Sequence, residues 1–153
     1  MRLMWIVALV LVCFPASSRS REVAKSFSEK FELRLARDTP VEGYVEMEMP
    51  PDSIPQKIYV APDTIVTGKD FERVALELSD DIKTIEISIE LSEAAGKKMA
   101  AITEAHLRER IAIVSNGKLI TAPMLHAKIS DRMLISGHYD KEELIAIISE
   151  IIE

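Results

Sequence analysis

Strict alternation marks one segment above the others. From Lys83 to Leu91 the apolar residues Ile85, Ile87, Ile89 and Leu91 take every second place, with Glu86, Ser88 and Glu90 between them. Successive side chains of a strand point to opposite faces, so this pattern predicts a strand with one covered face and one polar face. Phe31-Glu32-Leu33-Arg34-Leu35-Ala36-Arg37 has the same period and predicts another half-buried strand. Lys57-Ile58-Tyr59-Val60 reads as a strand interrupted at Ala61-Pro62-Asp63 and resumed over Thr64 to Thr67. The stretch from Asp38 to Gln56, with Pro40, Gly43, Pro50, Pro51 and Pro55, is a long surface connection in which Tyr44 to Met49 alternates enough to add a short edge strand. Met47 and Met49 could line a partner groove, but the alternating Glu46 and Glu48 favour the plain edge strand.

Three segments carry helical spacing instead. Thr67-Gly68-Lys69-Asp70 predicts a helix start, and Phe71, Val74, Ala75 and Leu78 then share one face. Ser92 is placed to cap a helix running to about Arg108, with Ala95, Met99, Ile102, Ala105 and His106 on its buried stripe. Asp140-Lys141-Glu142-Glu143 reads as a capping box before a last helix whose apolar face is Leu144, Ile147, Ile148, Ile151 and Ile152. Between the last two helices, Asn116-Gly117 separates the apolar runs Arg110 to Ser115 and Lys118 to Pro123. Such a pair tolerates the positive φ of a tight turn, which predicts a hairpin, with Pro123 at a strand end or bulge. Arg132 to Gly137 is the last predicted strand. Strands interspersed with helices and joined by a hairpin predict an α+β fold: an antiparallel or mixed sheet with two to three helices packed mainly on one face.

The first residues belong to another pattern. Arg2 precedes an unbroken apolar run from Leu3 to Phe14, and Pro15 then leads into Ala16, Ser17 and Ser18. A positive start, an apolar stretch of roughly 7–15 residues and small residues after it are the marks of a signal peptide. A membrane-spanning helix needs about 20 apolar residues. The expectation is a signal peptide over residues 1–20, a flexible lead-in over 21–30 and one domain over 31–153; an uncleaved signal anchor is the alternative. Val12 stands before Cys13, where lipid attachment requires a small residue, which argues against a lipoprotein. Export implies a periplasmic or secreted protein with no stable membrane insertion after cleavage.

Composition narrows the chemistry. The 153-residue chain has a net charge of −6, so no general attraction to nucleic acid is expected. Five glycines and no GxGxxG or Walker run leave no phosphate cradle, and no GxSxG elbow supports a serine hydrolase. His106, His126 and His138 lie far apart, and none has the helical spacing of a metal pair; Glu109, three residues after His106, reads as a solvated contact. No metal, cofactor or catalytic residue is assigned.

The order of segments carries a resemblance. The helix opening Leu91-Ser92-Glu93-Ala94-Ala95-Gly96-Lys97-Lys98-Met99 and the hairpin Arg110 to Pro123, ending in Ala122-Pro123, resemble the head of the first periplasmic domain in the SecD/SecF protein-export family. Ile135-Ser136-Gly137-His138-Tyr139-Asp140 is similar to that family's last strand end, and Phe31 to Ala36 to its first strand. Two departures are the order Ala95-Gly96, where the family has Gly then Ala, and Asn116, where it has Asp. The resemblance implies a ferredoxin-like fold and a non-catalytic module that contacts unfolded or translocating polypeptide. It singles out Asn116, Gly117, Ala122, Pro123, Gly137 and Tyr139 as family-motif or binding positions. An exposed sheet edge, or the groove beside the Asn116-Gly117 hairpin, could take an added strand. An accessory subunit recognising a folded envelope protein is the alternative, and a small hydrolase with a site assembled only in three dimensions is a third reading. The partner expected is a protein or extended polypeptide of the cell envelope; the oligomeric state is left open.

Overall fold

The computed structural model describes residues 26–78, 85–135 and 141–152. Its strands are β1 (Phe31–Arg37), β2 (Val45–Glu48), β3 (Lys57–Thr67), β4 (Phe71–Leu78), β5 (Ile85–Leu91), β6 (Arg110–Ser115), β7 (Lys118–Thr121) and β8 (Arg132–Ile135). Its helices are α1 (Glu93–Ala105) and α2 (Lys141–Ile151). The class is α+β, as expected, and every strand pairing is antiparallel. The strands divide into two sheets rather than one, in the orders β2-β3-β1-β6-β7 and β4-β5-β8.

Alternation explains why the larger sheet has two apolar faces. Leu33 and Ile113 face each other across β1 and β6, as do Leu35 and Ile111, and these enter the main core. The residues between, Ala36, Ala112 and Val114, join Ile58, Val60 and Ala122 in a smaller cluster on the opposite face. Met47, Met49 and Leu119 pack on that cluster from β2, its following residue and β7, so the edge strand accounts for both methionines. The main core gathers β1, β6, the inner face of the three-stranded sheet and the stripes of both helices.

The segment after Asp70 departs from its predicted form. Thr67 caps only a single 3-10 turn over Gly68–Asp70, and Phe71–Leu78 is strand β4. The reason is a bulge: Phe71 pairs with Leu91 and Arg73 with Glu90, so Glu72 is extra. One extra residue reverses the alternation, which puts Phe71 and Val74 on one face at a spacing that mimics a helix. A second irregularity explains β3. Arg34 pairs with Thr64 and Ala36 with Val60, so Ala61, Pro62 and Asp63 stand opposite the single residue Leu35. The strand continues through Pro62, which sits where the ladder is already broken.

The lead-in is docked from Phe27 onward. Phe27 is buried, its ring 6.0 Å from that of Phe71, and it bridges to Ile152. The Ser28 amide donates to the Ile151 carbonyl at 2.8 Å. On α1, Ala95 and Met99 are buried as predicted and Ile102 partly so, whereas Ala105 is exposed and His106 half-buried; the helix ends before His106 reaches the core. Thr103 is buried in their place. Leu144, Ile147 and Ile151 form the buried stripe of α2. The expected leader and Asp140 lie outside the described residues. Among the described residues no helix is long and apolar enough to cross a membrane.

Candidate polypeptide-binding groove

The sequence-selected positions fall in two places. Asn116 (φ 49°) and Gly117 (φ 76°) form the hairpin turn between Ser115 and Lys118, as the Asn-Gly pair predicts. That turn is fastened to α2. The Glu150 carboxylate accepts hydrogen bonds from the Ser115 hydroxyl and from Asn116 Nδ2, the latter at 3.1 Å. The groove beside the hairpin is therefore small, about 240 Å³, and walled by Ala146, Ile147 and Glu150 of α2.

Ala122 is buried in the smaller cluster, and its carbonyl accepts from Arg110 at 2.8 Å. Pro123 follows β7 at the strand end, with its carbonyl accepting the Ile111 amide at 3.0 Å. Gly137 and Tyr139 lie outside the described residues.

Pro123 borders a second groove, of about 500 Å³. Pro123 to Ala127 line one side and β8 the other, and the buried Ile111 and Ile113 close it on the core side. Met124 and Leu134, on opposite walls, are 39% and 49% exposed, which leaves apolar surface at the rim. Among the described residues His126 and Arg132 are its titratable residues and no carboxylate lines it.

Each wall is held by specific bonds. The Leu125 amide donates to Glu109 and the Arg108 amide to Leu125, at 2.8 and 2.9 Å. Beyond Ala127, the fully buried Thr103 hydroxyl accepts the Ile129 amide at 2.9 Å and donates to the Met99 carbonyl at 2.8 Å. Gly96 lets the Ser130 carbonyl approach α1: a Cβ there would lie 2.9 Å from that oxygen. Arg132 lies over Ser88, donating to its hydroxyl at 2.9 Å and pairing with Glu77. Ser88 is buried although alternation places it on the polar face, because this arginine covers it.

The remaining titratable groups do not converge. His106 Nδ1 contacts Glu109 at 3.1 Å, and Arg37 holds the same carboxylate through both oxygens. The Asp131 carboxyl is held below its ordinary value by the Ser130 hydroxyl, then by its own and Arg132's backbone amides. His106, His126 and Asp131 make no hydrogen bond to one another; His138 and Asp140 lie outside the described residues. Among the described residues no three His, Cys, Asp or Glu side chains are grouped to hold a metal. Sequence reasoning missed Met124 and Leu134 as parts of this groove, and Thr103 as the residue that holds the segment beside it. The alternation of β8 could have marked Leu134 as exposed, but nothing local points to Thr103.

Comparison with known proteins gives a consistent result. The sequence model of the SecDF P1 head subdomain matches residues 45–147. The protein translocase subunit SecD of Aquifex aeolicus is 32% identical over 79 residues, covering 52% of this chain and 16% of its own length. SecD of Magnetococcus marinus is 33% identical over 81 residues, covering 52% and 15%. The chain thus spans about a sixth of the length of these relatives. A solved SecDF structure, described as a membrane component that enhances protein export, superposes with a TM-score of 0.55 at 18% identity, over 80% of this chain and 60% of that one. SecDF in a super-membrane-facing form gives 0.54 at 17% identity, over 78% and 17%. At these identities the superpositions establish the fold alone.

Proposed function

This chain belongs to the SecDF P1 head subdomain family, and we propose from that premise that it is a non-catalytic module which binds extended or unfolded polypeptide during protein translocation. The binding site is the groove between β8 and Pro123 to Ala127, and the observation that carries this reading is the exposed apolar surface of Met124 and Leu134 at its rim. Met124 and Leu134 offer exposed apolar contact to a chain passing between them. The hairpin groove is the lesser candidate because α2 and the Glu150 latch occupy its side.

The module works on the periplasmic face of the envelope, where export by the leader of residues 1–20 would deliver it. A titration of the full chain with a reduced, alkylated and therefore permanently unfolded protein tests the binding. Saturable binding at micromolar concentrations, weakened by Met124→Asp and Leu134→Asp, is expected. Absence of binding, or a stoichiometric complex with a folded envelope protein that ignores unfolded chains, overturns it.

A further inference from the structure

Among the described residues the groove's β8 wall is a sheet edge, and one hydrogen bond fixes which of its backbone groups face outward. The Leu91 amide donates to the Asp131 carbonyl at 2.8 Å, which makes Leu91 and Asp131 a hydrogen-bonded pair at the start of the β5–β8 ladder. The pairing then runs without a register shift through Glu90–Arg132, Ile89–Met133, Ser88–Leu134 and Ile87–Ile135. In an antiparallel ladder such pairs alternate with pairs that exchange no bonds. Met133 and Ile135 therefore spend their backbone groups on β5, and the N–H and C=O of Arg132 and Leu134 point away from it. The Arg132 amide turns toward the Asp131 carboxylate. Among the described residues no backbone hydrogen bond reaches the Leu134 amide, the Leu134 carbonyl or the Arg132 carbonyl from the groove side.

We infer that an extended polypeptide binds here by adding an antiparallel strand to β8, centred on Leu134; this rests on the polypeptide-binding reading above. The occupant is specified by what the groove presents. Unpaired backbone donor and acceptor groups at strand spacing call for another backbone, not for a folded apolar surface.

The test uses the full chain and pentapeptides of alternating Val and Thr, read by fluorescence anisotropy. Two further peptides carry N-methyl groups on alternate residues, one set for each edge. Expected are saturable binding of the unmethylated peptide and a loss of about tenfold for one N-methyl set only, the scale of a lost hydrogen bond. Leu134→Pro should weaken binding to the same degree and stay folded, because the amide it removes faces away from β5; circular dichroism checks the fold. Equal binding of both N-methyl peptides with an unaffected Leu134→Pro overturns strand addition while leaving the groove as an apolar binding site. Failure of every peptide and of unfolded protein alike overturns the polypeptide-binding reading itself.

Discussion

The buried hydroxyl of Thr103 on α1 accepts the backbone amide of Ile129, 26 residues further along the chain. This bond ties the segment that approaches β8 to a helix that is itself locked into the core by Met99. Thr103→Val keeps the shape but removes the acceptor, leaving the Ile129 amide without it; the cost of such a loss is about 1–3 kcal/mol. Urea denaturation should show that loss, Thr103→Ser should restore most of it, and amide exchange at Ile129 should quicken in the valine variant.

Gly68 and Ser28 make a contact that only glycine permits. A Cβ on Gly68 would lie 2.2 Å from the Ser28 carbonyl oxygen, and both groups are backbone-bound and unable to swing aside. Gly68→Ala should therefore expel the Phe27–Ser28 segment or strain it, at a cost of about 1–3 kcal/mol, as for other overpacked sites. A lower melting temperature and faster proteolysis ahead of Phe31 are the expected signs. An unchanged melting temperature would show that the lead-in is not part of the fold.

The edge strand β2 has its own pH response. Lys57 lies 2.6 Å from Glu46, and its hydrogen bond and charge hold the Glu46 carboxyl below the ordinary glutamate value. A depressed carboxyl stabilises the fold above its unfolded pKa and loses that contribution as pH falls through the folded value. Glu46 also raises the Lys57 ammonium, mainly through the same hydrogen bond, so that side of the pair is lost as pH rises through the raised value. Titration by NMR should show the depressed Glu46, and Lys57→Met should return it upward. Both groups are solvated, so the global melting temperature should scarcely move.

The hairpin latch should be separable from polypeptide binding. Glu150→Ala removes the acceptor shared by Ser115 and Asn116. The expected loss is about 0.5–1.5 kcal/mol of stability, the usual net worth of such hydrogen bonds. Affinity for unfolded polypeptide should be unchanged, because the latch faces α2 and not the β8 groove. A large loss of affinity would move the site to the hairpin.

Much of this fold was legible because its strands keep their alternation. β1, β5, the Asn116-Gly117 hairpin and the stripe of α2 appear where periodicity and turn chemistry place them. β4 was illegible because the extra Glu72 reversed its phase and produced a false helical spacing. The break read at Ala61 to Asp63 is a bulge inside one strand, which only the pairing with Leu35 and its neighbours reveals. Division into two sheets depends on which strands meet, and no local pattern carries that. The hairpin and Pro123 were found from their motif, but the groove was not: Met124, Ile129 and Leu134 become one site only when Thr103 and Gly96 bring their segments to α1 and β5.

Site-specific photo-cross-linking locates a bound polypeptide on the surface. A photoreactive side chain is placed singly at 124, at 134 or at Ile145, an exposed apolar position on α2 outside the groove. With an unfolded polypeptide present, strong cross-links are expected from 124 and 134 and few from 145. Equal labelling at all three positions, or labelling at 145 alone, would overturn the β8 groove as the binding site.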